Sequence, residues 1–290
     1  MRRRVISVGS ALLLAPFAFL ALNWSAQLGW TKDGKKFSRG AKAASAAKQE
    51  LINQELETLS GHTWAGNYYH GDGLGVNVAL GLAPKSGFAF TWNGCLGLYD
   101  LNYGEAIEED GRIKLVFKFP NDRRGFQGIA PELIPIVWGE RHYLIPSDEV
   151  VSFANAVNAG FEPRESLWGR FLLRRGDEGK PAPGQPILPP EYSAYLLKEP
   201  IKAEILSIKA SRLQNTTRIT KVILNVGSAQ RVKQGMEFYV YLPSSIAEWA
   251  TITAVNSSNS EGEIVEYAVD ENTPPPTLDW KLSTFAEMNR

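Results

Sequence analysis

His62, His70 and His142 are the only histidines in this chain of 290 residues. His70 stands two positions before Asp72, and with His142 the three make a two-histidine, one-carboxylate set. That donor combination holds a divalent metal with open positions, as a metal-dependent hydrolase requires. No His-Glu-x-x-His or similar spacing presents two ligands from one helix face, so the fold would have to bring distant segments together. The competing expectation is that these histidines sit in loops or at strand edges and make local hydrogen bonds. No metal ligand is assigned and no cofactor is expected.

Nucleophilic chemistry has less to draw on. There is no Gly-x-Ser-x-Gly elbow, and the single cysteine, Cys95, lies in Asn93-Gly94-Cys95-Leu96-Gly97 between apolar and aromatic neighbours. That context predicts a buried structural thiol. Glu105, Glu108, Glu109 and Asp110 precede the turn residue Gly111 and read as a solvated loop rather than an acid/base pair. Gly71-Asp72-Gly73-Leu74-Gly75 lacks the dinucleotide-binding spacing and reads as a hairpin loop.

Aromatic side chains offer a different chemistry. Trp64, Tyr68, Tyr69, Phe88, Phe90, Trp92, Tyr99 and Tyr103 crowd one short stretch. Aromatics suit the interior of small β folds. If some line an open barrel mouth, they form a pocket for an apolar ligand or a sugar ring. On that reading the ligand-binding candidates are Trp64, Tyr68, His70, Asp72, Trp92 and His142.

The elements that would position these residues show a period of two. Val76, Val78, Leu80 and Leu82 alternate with small or polar residues, as do Phe88, Phe90 and Trp92, and then Ile113, Leu115, Phe117 and Phe119. Such runs between turn signals read as half-buried antiparallel strands. One helix interrupts them, with Ser147 as N-cap, Val150, Phe153, Ala154 and Val157 on one face, and Gly160 as stop. Trp168–Arg174 reads as a closing strand. Five prolines between Pro181 and Pro190 then enforce an extended linker. Beyond it, strands are predicted over 201–209, 219–226, 236–242, 250–255 and 262–268. The expected fold is mainly β, with two small antiparallel barrels or sandwiches at 61–175 and 196–286, joined by a proline-rich linker at 176–195.

Ahead of these domains, residues 31–60 read as a spacer helix packed on the first. Residues 1–30 read as a signal or anchor. Arg2, Arg3 and Arg4 precede an uncharged run from Val5 to Trp24, long enough to cross about 30 Å of hydrocarbon as a helix with its N-terminus in the cytoplasm. The candidate cleavage regions, Phe19-Leu20-Ala21 and Trp24-Ser25-Ala26, each place an aromatic at the first key position, which favours retention over cleavage. The expected location is the cytoplasmic membrane, with the bulk extracytoplasmic and periplasmic. The alternative is secretion after cleavage.

Composition limits the partners. Apolar residues are 44% and charged residues 21%, a core-forming mix, and 31 Lys+Arg balance 31 Asp+Glu. Neutral balance argues against nucleic acid, which wants a basic excess.

The stretch from Val222 through Asn225-x-Gly227-Ser228 and Val232-Lys233-x-Gly235-Met236 to Tyr241 resembles the small C-terminal β domain of the bacterial flagellar outer-ring assembly factor. Arg231 stands where that pattern more often has glycine. The resemblance covers about residues 201–285 and implies a fold and an interaction module, not an activity. The first β domain, through Gly71–Gly75, Gly94–Tyr99 and Trp138–Pro146, looks like uncharacterised exported bacterial proteins. The resulting expectation is a membrane-anchored, non-enzymatic binding or structural protein whose partner is a protein or another envelope component. Its alternatives are the metal-dependent hydrolase on His70, Asp72 and His142, and a carrier of a small apolar ligand in the first β domain. No oligomeric state is expected from the sequence.

Overall fold

A computed structural model describes residues 37–71, 75, 77–123, 127–161, 163, 171–270 and 273–286. The Arg2–Arg4 start and the Val5–Trp24 run lie outside the described residues, as do Asp72 and the first part of the expected 168–174 strand. No helix among the described residues is long and apolar enough to cross a membrane.

The chain forms two closed antiparallel barrels, of eight and six strands. The first is a meander of β1 (Gly66–His70), β2 (Asn77–Ala83), β3 (Gly87–Gly94), β4 (Gly97–Glu109), β5 (Arg112–Phe117), β6 (Glu132–Trp138), β7 (Arg141–Pro146) and β8 (Leu172–Arg174). Each strand pairs with the next, and β8 closes on β1. Glu105, Glu108 and Glu109 belong to β4; the loop expected there is a strand.

Alternation sorts side chains between the two surfaces of the sheet. Tyr68, Leu80, Phe90 and Asn102 are cross-strand partners on the inner face, as are Leu82 and Phe88. The outer face of β2 and β3 carries Ala79, Gly81, Ala83 and Ala89, residues too small to hold a helix off the sheet. On that bed lies α1 (Arg39–Leu56), with Ser38 as N-cap accepting from the Ala41 amide at 3.1 Å. Ile52 of α1 is fully buried against Ala83 and Ala89, worth about 1.5–3 kcal/mol for a side chain of that size. Gly81 meets Gln49 so closely that a Cβ there would lie 2.5 Å from the Gln49 amide oxygen.

The helix α2 (Val150–Ala159) covers the outer face of β6–β8. Val150, Phe153 and Ala154 pack on Ile134, Ile136, Tyr143, Ile145, Phe171 and Leu173. Ser147 does not cap α2: it opens a short 3-10 turn, Ser147–Glu149, and Glu149 takes the N-cap position without a side-chain bond. Gly160, at φ 76°, closes the helix in the left-handed conformation.

The proline-rich stretch is bound to the first barrel along its length. Trp138 Nε1 donates to the Gly184 carbonyl at 3.0 Å, the Leu197 amide donates to Asn158 Oδ1 at 2.9 Å, and Asp177, Leu188 and Leu197 are buried.

The second barrel comprises β9 (Lys202–Gln214), β10 (Thr217–Leu224), β11 (Glu237–Leu242), β12 (Trp249–Val255), β13 (Ser260–Glu266) and β14 (Lys281–Ser283), ordered β10-β13-β12-β11-β14-β9. Its core includes Ile205, Val222, Leu224, Phe238, Ile252, Ile264, Trp280 and Leu282. Between β10 and β11, Arg231 adopts φ 68°, the left-handed region in which glycine is most at ease. The barrels meet at α2: Asn155 Nδ2 donates to the Gly235 carbonyl at 2.9 Å, and Phe161 packs edge-on to Tyr239 with centroids 5.5 Å apart.

Candidate functional site

Of the six residues singled out for ligand binding, Trp64, Tyr68 and Trp92 belong to the first barrel's core. Trp64 and Tyr68 seal one end. Trp64 Nε1 donates to Glu108 Oε2 at 2.7 Å, and the Tyr68 hydroxyl donates to the Trp64 carbonyl at 2.8 Å. Arg174 reaches across from β8 to the carbonyls of His62 and Thr63 and to the Tyr68 oxygen. Burial pushes the Tyr68 phenol up to about 12 against the opposing pull of Arg174, so it stays a neutral donor.

His70 and Trp92 stand towards the opposite end, each opposite Val78 on β2. Trp92 pairs in turn with Asp100 on β4. Asp100 is buried inside the barrel, where its carboxylate accepts from the Gly128 amide at 2.6 Å. Asn102, next on the same face, binds both the amide and the carbonyl of Phe119. These two buried polar groups tie the segment after β5 to the barrel mouth. Sequence reading missed them because Leu101, between them, has the apolar character expected of the inner position. The void beside Val78, Trp92, Ile129, Leu133 and Leu172 is only about 20 Å³, room for a single water.

His142 is held elsewhere. Its Nδ1 and its backbone amide both contact Asp177 Oδ2, at 2.7 and 2.8 Å, and Lys180 Nζ donates to Asp177 Oδ1 at 2.6 Å. Burial pushes the Asp177 carboxyl up, but the hydrogen bonds from Lys180 and His142 outweigh it and hold the group below its ordinary value. Leu173 of β8 is the register partner of both Tyr69 on β1 and Tyr143 on β7. His70 and His142 therefore lie on strands separated by β8, about 10 Å apart across the sheet. The Asp177 contact occupies His142 Nδ1 and leaves Nε2, but β8 stands between the two histidines, and Asp72, the third member of the set, lies outside the described residues. Among the described residues no group of three His, Cys, Asp or Glu side chains converges as a metal site. Cys95 is exposed at the β3–β4 turn, not buried as its neighbours implied, because the hairpin tip projects beyond the barrel wall.

An open concave surface on this barrel lies outside it, along one side of α1. A groove of about 600 Å³ runs between the helix and the outer faces of β1–β4. Its floor is Ala79, Gly81, Ala89 and Thr91. One wall holds three linked amides: Gln49 Nε2 donates to Asn53 Oδ1 and Asn67 Oδ1, each at 2.9 Å, and Asn67 Nδ2 donates to Asn53 Oδ1 at 3.2 Å. Lys42 and Arg175 stand on its rim, and no carboxylate lines it. The Arg175 guanidinium lies 4.7 Å from the Tyr69 ring centroid, which fixes the cation in place. Such a surface can hydrogen-bond a polar ligand and attract an anionic one. Sequence reading passed over it because its residues come from a helix and two strand regions, and only the docking of α1 brings them together.

Fold and groove define a double-barrel protein with an open groove outside its first barrel. No family model, no curated protein and no solved structure matches the chain.

Proposed function

We propose that this chain is a membrane-tethered, extracytoplasmic, non-enzymatic binding protein of the cell envelope, and that the groove along α1 is its ligand-facing surface on the first barrel. The observation that carries the reading is the position of the groove. The barrel interior is packed with Tyr68, Phe88, Phe90 and Trp92, whereas the amide-lined, cation-rimmed cleft faces outward beneath the helix that follows the N-terminal run. The basic start and the uncharged Val5–Trp24 segment support the tether. The rim cations Lys42 and Arg175 favour a partner that offers carboxylates or other anionic groups.

Two measurements on the full chain in cells test the reading. Cys95, the single cysteine and exposed, should react with a membrane-impermeant maleimide from the outer side of the cytoplasmic membrane. Affinity purification from envelope fractions should retain a specific component that is lost when Lys42 and Arg175 are both changed to Glu. A Cys95 protected until the membrane is broken refutes the location. Absence of a retained component, together with turnover of any substrate, refutes the binding role.

A further inference from the structure

The second barrel closes at β9 through a short seam. β14 pairs with β9 only from Lys202 to Glu204, while β9 continues to Gln214 with β10 on its other side. No strand among the described residues lies along the free edge of β9 beyond that seam, and every residue from 208 to 216 is exposed. About half the backbone groups of such an edge point away from its one neighbour and must find water or another chain. Leu206, Ile208 and Leu213 are 56, 38 and 65% exposed there. The register places Ile208, Ser211 and Leu213 on one face of the strand and Ala210 and Arg212 on the other.

Charge decides what can occupy this edge. Lys209 and Arg212 are the only ionisable residues between Ile205 and Gln214. A second copy pairing edge to edge would bring these cations against their own kind. The same cations attract a strand that carries carboxylates. We propose that the edge of β9 from Leu206 to Gln214 is a docking site for an extended, acidic segment of a partner protein, which adds a strand to the second barrel. Main-chain hydrogen bonds supply the register. Ile208 and Leu213 receive apolar side chains, and Lys209 and Arg212 select acidic ones.

This inference rests on the chain being a binding protein. Its test is hydrogen exchange by mass spectrometry on the full-length chain, probed with a short blocked peptide of alternating valine and glutamate. The expected result is exchange across 205–214 slowed by about tenfold with that peptide and unchanged with its valine–lysine counterpart. The K209E/R212E double variant should reverse the preference. Three outcomes overturn the proposal: no slowing in 205–214, equal slowing by both peptides, or slowing that appears without peptide as protein concentration rises, which would assign the edge to a second copy. If an envelope component is still retained by affinity purification while the edge shows no peptide-dependent protection, the edge assignment fails and the binding reading stands.

Discussion

At the scale of single residues, buried charges give the sharpest expectations. Burial raises the Glu237 carboxyl above its ordinary value despite the hydrogen bond from the Tyr239 hydroxyl. A carboxyl raised by folding contributes stability below its unfolded value and loses it as pH rises through the raised one. Glu237→Gln should therefore raise the urea midpoint at about pH 8 and leave it unchanged at about pH 3. Asp177 has the opposite sign: its contribution is full above the ordinary carboxylate value and is lost as pH falls through the depressed one. Asp177→Asn should weaken the protein at neutral pH only. Arg218 and Glu266 form a bidentate pair at 2.7 and 2.8 Å inside one end of the second barrel. Arg218→Ala strands the Glu266 charge and should cost about 3–5 kcal/mol, whereas replacing both by apolar residues should cost far less. Arg231 allows a prediction of the other sign. Holding a side chain in the left-handed region costs about 1–2 kcal/mol, and glycine loses about 0.5–1 kcal/mol to chain entropy. Arg231→Gly should thus stabilise by up to about 1.5 kcal/mol, measured by denaturant midpoint at constant slope.

Among the elements, α1 depends on the smallness of the sheet beneath it. Gly81→Leu would force a side chain into Gln49, whose amide is held by Asn53 and Asn67. The expected outcome is that α1 detaches and limited proteolysis cuts within 39–56, while the barrel stays intact. The same packing explains what the sequence could and could not reveal. β2 and β3 show clean alternation because their inner residues are large and their outer ones small or polar; β5 shows it through Ile113, Leu115 and Phe117, although the outer Val116 is apolar. β6 and β7 are covered by α2 outside and the barrel core inside, so Leu133-Ile134 and Tyr143-Leu144-Ile145 are buried on both faces and lose the alternation that marks a strand. β4 inverts it, since Leu101 is buried on the outer side while Asp100 and Asn102 point inward. β14, three residues long, has too little sequence to carry a pattern. The groove was illegible for a related reason. Gln49, Asn53, Asn67, Lys42 and Arg175 share no motif, and only the seat of Ala79, Gly81 and Ala89 makes them neighbours.

For the whole molecule, the contact between the two barrels and the proposed tether give the predictions. Asn155 spans the barrels, donating to the Gly235 carbonyl at 2.9 Å and accepting from the Glu237 amide at 3.4 Å. Asn155→Ala leaves those groups short of a partner, at a cost of about 1–3 kcal/mol. It should separate unfolding into two transitions, one per barrel. The proposed tether makes Leu14→Arg a test: an arginine at the centre of a membrane helix costs about 2.5–3.5 kcal/mol, and fractionation should find much of the variant off the membrane. The central claim, that the outward groove along α1 engages an envelope component, is tested most directly by replacing the exposed groove residue Ala46 with a photo-crosslinking amino acid in intact cells. The account predicts a light-dependent adduct to a single envelope component from Ala46 and none from Glu261 on the second barrel. No adduct from Ala46, or the same adducts from both positions, would contradict it.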